Sequence, residues 1–263
     1  MSDLIQTIHH DHIFEIVLNR PDKRNALSME MWAALDTAVA QANNTPGLRA
    51  VILRGEGKAF SAGIDVSNLL GLADAYGPHW QTRMRRITDD FQSVLTHLER
   101  LELPTIALLH GYCLGLGMEL ALACDIRIMA KGTQWGLPES RLGMIPDVGG
   151  TTRLLRLVGP ARAKEIIFTG ARYPAELAEA WGVVNYLVEE DALMTKANEL
   201  IAAILPAAPL AVGMAKRVID GMADIDRGLQ LEGWAQSQLF NTEDFLEGAQ
   251  AFMMRRSPEW KGK

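Results

Sequence analysis

The stretch from His110 to Arg153, HGYCLGLGMELALACDIRIMAKGTQWGLPESRLGMIPDVGGTTR, constrains this chain more than any other. A short strand, Thr105 to Leu109, runs into a glycine-broken turn, Gly111 to Gly117. The turn opens a short apolar helix, Met118 to Ala123, and Asp125 begins another strand, Ile126 to Ala130. Three carboxylates are set into this unit. Glu119 stands in the first turn of the helix, where the dipole suits a negative charge but apolar neighbours oppose ionisation and favour a raised pKa. Glu139 follows 20 residues later, straight after Gly136-Leu137-Pro138, and Asp147 comes 8 residues on, before a Gly-Gly-Thr-Thr helix start.

Each feature alone has an ordinary structural explanation: a tight turn, a helix N-terminal acid, a surface loop acid, an N-cap. Several functions are excluded at once. Gly115-x-Gly117-x-x-Leu120 lacks the third glycine of a dinucleotide fingerprint, and no phosphate-binding Gly-x-x-x-x-Gly-Lys-Ser/Thr occurs. Pro104 to Cys124 is largely apolar, yet His110, Glu119 and three glycines interrupt it where lipid would penalise them.

At 263 residues, with 48% hydrophobic and 22% charged, the chain suits an ordinary globular protein with ample core. A net charge of −6 gives no support for nucleic acid or acidic membrane as partner. Its two cysteines, Cys113 and Cys124, lie in apolar stretches with no zinc or redox spacing, as expected of buried thiols in a reducing compartment. The N-terminus carries Asp3, His9, His10, Asp11 and His12 rather than a basic head and apolar run, so a cytoplasmic location without a signal peptide is expected. The histidines read as a solvated cluster in a turn rather than a metal site.

Leu4 to Thr7 and His12 to Leu18 read as two strands joined by that His/Asp turn. Ser28 is placed to cap a helix running to about Asn43, with Glu30 in its first turn and Met31, Leu35, Ala38, Val39 and Ala42 at helical spacing. Ala50 to Leu53 follows as a buried strand. Glycines 55, 57 and 63 mark a loop, Gly55 to Ser67, that can approach a ligand closely. Leu69 to about Leu101 reads as a loop and then a long helix, whose Arg83, Arg85 and Arg86 either bind phosphates or form a solvated face. Beyond Arg153 the chain turns helical. Gly159-Pro160 breaks it, Ala161 to Phe168 and Pro174 to Trp181 are further helices, and Val183 to Val188 is a strand. Helices are then expected over Asp191 to Ile204, Pro209 to Gly221, Asp226 to Phe240 and Thr242 to Arg255.

Asn19-Arg20-Pro21-Asp22-Lys23-Arg24-Asn25-Ala26, Ala59-Phe60-Ser61-Ala62-Gly63-Ile64-Asp65 and the whole His110 to Arg153 stretch occur in order. Phe168-Thr169-Gly170, Ala178-x-x-Trp181-Gly182-Val183-Val184 and Glu243-Asp244-Phe245-x-Glu247-Gly248 follow. Together they cover nearly the whole chain, which resembles the enoyl-CoA hydratase/isomerase (crotonase) superfamily. The resemblance implies an α/β fold: a crotonase-like spiral of ββα turns with two stacked sheets and a C-terminal helical region. Residues 1–200 would form the spiral core with its CoA-thioester site. Residues 201–263 would form an oligomerisation region building a homotrimer or hexamer, with apolar surface from Trp234, Leu239, Phe245, Phe252 and Trp260.

By the same resemblance, the backbone N–H groups of Ile64 and Leu116 form an oxyanion hole, each donor contributing roughly 3 kcal/mol to lowering the barrier. Glu119 activates water and Glu139 delivers a proton to Cα. Ala62, Gly63, Ile64, Asp65, Val66, Leu116, Gly117 and Arg255 are the substrate- and CoA-contacting positions. No metal or redox cofactor is implied, CoA being part of the substrate. Asp147 is the departure. Simple hydratases of the family usually carry glycine there, whereas dienoyl-CoA isomerases carry an aspartate paired with the Glu139 position. Ser61 to Asp65 and Trp234 to Asp244 also resemble that branch, although it often has aspartate where Glu119 stands. Dehalogenases use an aspartate at the Asp147 position as nucleophile, but they lack Glu119 and Glu139. Hydration of a 2-enoyl-CoA is the leading expectation and isomerisation the alternative. A non-catalytic RNA-binding or CoA-binding scaffold stands last, because binding alone needs no buried Glu119.

Overall fold

The structure is a computed structural model that describes residues 4–207, 209–221, 229, 233–234 and 236–259. Strands β1 (Ile5–His10) and β2 (Ile13–Leu18) form an antiparallel hairpin whose turn is only Asp11 and His12, with Asp11 at φ 50°. His9 and His10 therefore lie in the strand rather than in the expected turn, and both are exposed. Helix α1 (Met29–Asn44) starts as expected, its Ser28 hydroxyl accepting the Met31 N–H at 3.2 Å. Such a cap contributes about 1 kcal/mol.

Strands β3 (Ala50–Gly55), β4 (Thr105–Leu109), β6 (Ile126–Ala130) and β9 (Tyr186–Val188) extend the hairpin in parallel, giving a six-stranded sheet in the order β1-β2-β3-β4-β6-β9. Their near-continuous apolar runs suit parallel strands covered on both faces. Along β3 the faces alternate with period two. Val51 and Leu53 join the larger core under α1 and α4 (Met84–Glu99), while Ala50 and Ile52 pack toward Leu193, Ala197 and Ile201 of α8 (Leu193–Ile204).

The second expected sheet is three-stranded, made of β5 (Tyr112–Leu114), β7 (Gln134–Gly136) and β8 (Tyr173–Pro174), none of which the local sequence pattern marks as a strand. The segment expected to be only a turn thus contains a strand. Its residues are too few to show a period, and its partner in the parallel ladder lies 22 positions on, Tyr112 opposite Gln134. Helix α5 (Leu116–Leu122) follows directly. Two short helices, α2 (Val66–Leu70) and α3 (Leu72–Tyr76), occupy the expected loop ahead of α4. Helix α6 (Gly150–Thr169) is interrupted at Gly159, whose φ of 70° and ψ of 171° are non-helical, at the predicted break. Helices α7 (Ala175–Ala180) and α9 (Pro209–Gly221) and a final helix (Glu243–Met254) complete the described elements. Of the expected helix Asp226 to Phe240, residues 229, 233–234 and 236–239 are helical and 240 is in a turn; its other residues, and Trp260, lie outside the described residues. Among the described residues no helix is long and apolar enough to cross a membrane. The two-sheet α/β architecture expected from the sequence is the one found.

Candidate active site

Two loops meet at the N-terminus of α5. Leu114 N–H donates to Ser61 O at 3.1 Å, and Ser61 N–H donates to Tyr112 O at 2.9 Å, strapping Ser61 to Asp65 alongside β5. Gly63 at φ +97° sits where a Cβ would stand 2.8 Å from Leu114 O and 3.6 Å from the Leu116 nitrogen. A side chain there would wedge the loops apart. The Gly63-Ile64 peptide and the Leu116 N–H, the two expected oxyanion donors, are therefore brought together, the second in the first turn of a helix. Gly117, one residue on, has Ser61 where a side chain would be and permits the same approach.

The carboxylates gather around the same point. Glu119 is buried, and its Oε1 accepts the Val148 N–H at 2.9 Å and the Gly150 N–H at 2.8 Å. These amides lie at the start of α6, which otherwise has Gly149 as N-cap with no side-chain capping bond. Glu119 thus does what the sequence reading had offered as an ordinary role for Asp147. Two N–H donors favour the ionised carboxylate and oppose the effect of its apolar surroundings.

Glu139 sits in a 3-10 turn, Pro138–Leu142, entered through Pro138. Its Oε1 lies 2.9 Å from where a Gly115 Cβ would be, at the N-cap of α5. Its Oε2 is buried with no hydrogen-bond partner among the described residues. Burial first, and the charge of Asp147 second, push Glu139 up to about 8. Both glutamates are buried, but Glu119 accepts two backbone N–H bonds, whereas Glu139 Oε2 has none among the described residues and its carboxyl is pushed up to about 8.

Asp147 is neither of these. Its Oδ2 accepts from the Thr88 hydroxyl at 3.1 Å, and its backbone carbonyl accepts from Gln92 Nε2. Both partners lie one turn apart on α4, whose sequence shows only an amphipathic pattern, so nothing singled them out. Asp147, Thr88 and Ile64 line a cavity of about 50 Å³ with Leu69, Phe91 and Phe240 among its apolar walls. Trp80 meets Phe240 edge-on at 4.9 Å, and Phe240 meets Phe245 at 4.2 Å, forming an aromatic cluster behind it.

Other expected contacts are spread more widely. Ala62 N–H is bound to Arg24 O at 2.9 Å. Asp65 caps α2 through Ser67 and pairs with Arg20 at 2.6 Å; burial works against ionisation, but the bonds from Ser67 first and Arg20 second hold its carboxyl below the ordinary value, and Val66 is the first residue of that helix. Arg255 is exposed at the end of the final helix in the left-handed conformation, φ 54°. Arg83, Arg85 and Arg86 are exposed. Sequence reading also passed over Arg24 and Arg172, whose guanidinium carbons lie 5.5 Å and 5.9 Å from the Tyr112 ring centroid.

Residues 9–263 match the family model described as enoyl-CoA hydratase/isomerase. A short-chain-enoyl-CoA hydratase of Clostridium acetobutylicum is 38% identical over 247 residues, 93% of this chain and 92% of that one. A carnitinyl-CoA dehydratase of Salmonella enteritidis is 36% identical over 274 residues, with both chains fully covered. The crystal structure of an enoyl-CoA hydratase from Bacillus anthracis superposes with a TM-score of 0.75 at 38% identity, covering 99% of this chain and all of that one. With its motifs, fold and relatives in agreement, this chain is a member of the enoyl-CoA hydratase/isomerase family.

Proposed function

We propose that the protein adds water across the double bond of a 2-enoyl-CoA thioester. The observation that carries this reading is the opposed setting of Glu119 and Glu139 beside one helix N-terminus. Acid–base catalysis needs such a pair, one group ionised and one holding its proton at working pH. Ile64 and Leu116 N–H receive the thioester oxygen. Glu119 takes a proton from water as its oxygen bonds to Cβ, and the double-bond electrons move onto the thioester oxygen as an enolate. As the enolate collapses, Glu139 gives its proton to Cα. Proton exchange with solvent resets both carboxyls. The scheme draws on side chains and backbone alone.

A cavity of about 50 Å³ beside Ile64 has room for only one or two water-sized groups. It fits a short acyl tail, in keeping with the name of the Clostridium relative. Arg24 and Arg172 beside Tyr112 place positive charge next to the Ala62 loop, suited to the phosphates of CoA. A second reading, isomerisation of a dienoyl-CoA by Glu139 and Asp147, is favoured by the contribution of the Asp147 charge, after that of burial, to raising Glu139. Assays of enoyl-, 3-enoyl- and 3,5-dienoyl-CoA by mass spectrometry decide between them. A water adduct of crotonyl-CoA is expected; double-bond migration without a mass change would replace hydration by isomerisation.

A homotrimer or hexamer is part of the same proposal. Met214, Val218 and Ile219 on α9 and Leu246, Phe252, Met253 and Met254 on the final helix are exposed apolar side chains that a second copy would cover. A cytosolic setting fits two buried free thiols, Cys113 and Cys124, both pushed well up by burial.

A further inference from the structure

One buried hydroxyl ties together the two loops that meet at the N-terminus of α5. Ser61 is 0% exposed, and its Oγ donates to the Asn25 carbonyl at 2.8 Å and accepts the Gly63 N–H at 3.1 Å. Both directions are set by the partners, since a carbonyl can only accept and an amide N–H can only donate. The Asn25 anchor is itself fixed. Its backbone lies in the left-handed region at φ 52°, and its buried side chain accepts the Arg20 N–H and donates to the Glu56 and Ala59 carbonyls at 2.9 Å and 2.7 Å. The same serine reaches the second loop, because Leu114 N–H donates to its carbonyl. A methyl on Gly117, in the first turn of α5, would stand 2.6 Å from Ser61 Cβ and 2.7 Å from its Oγ. One small side chain therefore rests on both loops.

We propose that Ser61 is a positioning residue that holds the Ile64 N–H at the spacing and angle to the Leu116 N–H that a thioester oxyanion needs. The inference rests on the reading above, in which these two amides receive the thioester oxygen. Gly63, at φ +97°, has the most freedom to rotate the peptide that carries the Ile64 N–H. Two bonds remove that freedom. Leu27 N–H donates to Gly63 O at 2.8 Å. The N–H and C=O of a trans peptide point opposite ways, so the Ile64 N–H faces away from Leu27. Ser61 Oγ holds the preceding peptide through the Gly63 N–H, and both planes that flank the glycine are then fixed. Among the described residues neither Ile64 N–H nor Leu116 N–H has an acceptor. Two amides left open side by side are what an oxyanion fills. An aliphatic side chain at position 61 would leave the Gly63 N–H and the Asn25 carbonyl unbonded, and the glycine peptide would be free to turn.

The test uses acetoacetyl-CoA, a 3-oxo thioester whose enolate absorbs in the ultraviolet, together with kcat and KM on crotonyl-CoA. Wild type should lower the pH at which the bound probe becomes enolate, relative to the probe free in solution. In Ser61→Ala that pH should rise by about one unit, and kcat should fall by about tenfold to a hundredfold, less than the loss of a whole oxyanion donor. KM should change by less than about threefold, because the bond to the oxygen strengthens only as charge develops there. Ser61→Cys keeps a side chain of similar shape with a weaker donor and acceptor, and should lie between the two. It takes the place of alanine if that variant does not fold. A folded variant that lowers the enolisation pH as wild type does and keeps its kcat, whatever its Tm, would remove the positioning role alone and leave Ser61 as packing. A wild type that fails to lower it would remove the oxyanion hole itself, and the proposal with it.

Discussion

The turn around α5 and the wall built by α2, α3, α4 and the segment before the final helix face the same space and are made differently. Around α5, functional groups are fixed by backbone. Glu119 is held by two amides, the two loops are strapped by main-chain bonds, and glycines at 63, 115 and 117 set the spacing. On the wall, Leu69, Leu72, Trp80, Met84, Ile87 and Phe240 are fixed by contact with one another. A backbone-built site tolerates little variation in geometry, whereas a packed wall can be reshaped by changing side-chain volume. Bond-making should therefore belong to the first region and substrate selection to the second.

The strongest challenge to that division is removal of an acid–base group. Glu139→Gln and Glu119→Gln should each lower turnover by about two to four orders of magnitude. CoA-ester affinity, measured by calorimetry, should change little. Near-normal turnover in either variant would break the assignment of chemistry to the α5 region.

Asp147 belongs to both regions, and its variant sharpens the boundary. Asp147→Asn should leave hydration within about tenfold of wild type at neutral pH, because Glu119 and Glu139 persist, while any isomerase activity should fall by about a hundredfold or more. Glu119 dispensable and Asp147 essential would make the protein an isomerase.

Much of the backbone-built region was legible in the sequence, because glycine and proline leave marks. Gly136-Leu137-Pro138 announced the turn that presents Glu139, and Gly115-Leu116-Gly117 announced the N-terminus of α5. The three carboxylates were legible, but the bonds that differentiate them were not. The amides that hold Glu119 come from residues 148 and 150, and the hydroxyl on Asp147 comes from position 88, 59 residues away. Such partners are set by how α4 and α6 pack, which local pattern does not encode. The second sheet was implied by the family resemblance, but its strands were not legible locally, for the same reason: β5 and β7 have three residues each, and their pairing is long-range.

The next effect is set by pH. Glu139 keeps its proton up to about pH 8, so activity should hold through neutrality and fall about tenfold per unit above 8 as the acid form is lost. Folding stability carries the same signature. The unfolded chain releases this proton near 4.5, so the stabilisation from the raised pKa is full below 4.5 and is lost as pH rises through 8. Wild type should therefore lose more Tm than Glu139→Gln between pH 5 and pH 8.5. Parallel Tm curves for the two proteins would show that Glu139 is not held protonated.

The smallest effect is expected at the wall. Phe240→Ala should enlarge the cavity and shift preference toward longer acyl chains, with kcat on crotonyl-CoA changed by less than about tenfold. A collapse of kcat equal to that of Glu139→Gln would erase the distinction between the two regions.

Two glycines have a consequence for how this sequence can drift. A methyl group on Gly150 would stand 2.8 Å from both Cγ and Oε1 of Glu119, and one on Gly115 would stand 2.9 Å from Glu139 Oε1. The space each carboxylate occupies is the space a neighbouring alanine would need. Both positions should therefore come out inactive in a random-mutation library, although neither carries a functional group. Lineages that alter the reaction must do so by exchanging the acids themselves or by remodelling the cavity wall, because single steps at these glycines lead nowhere that works.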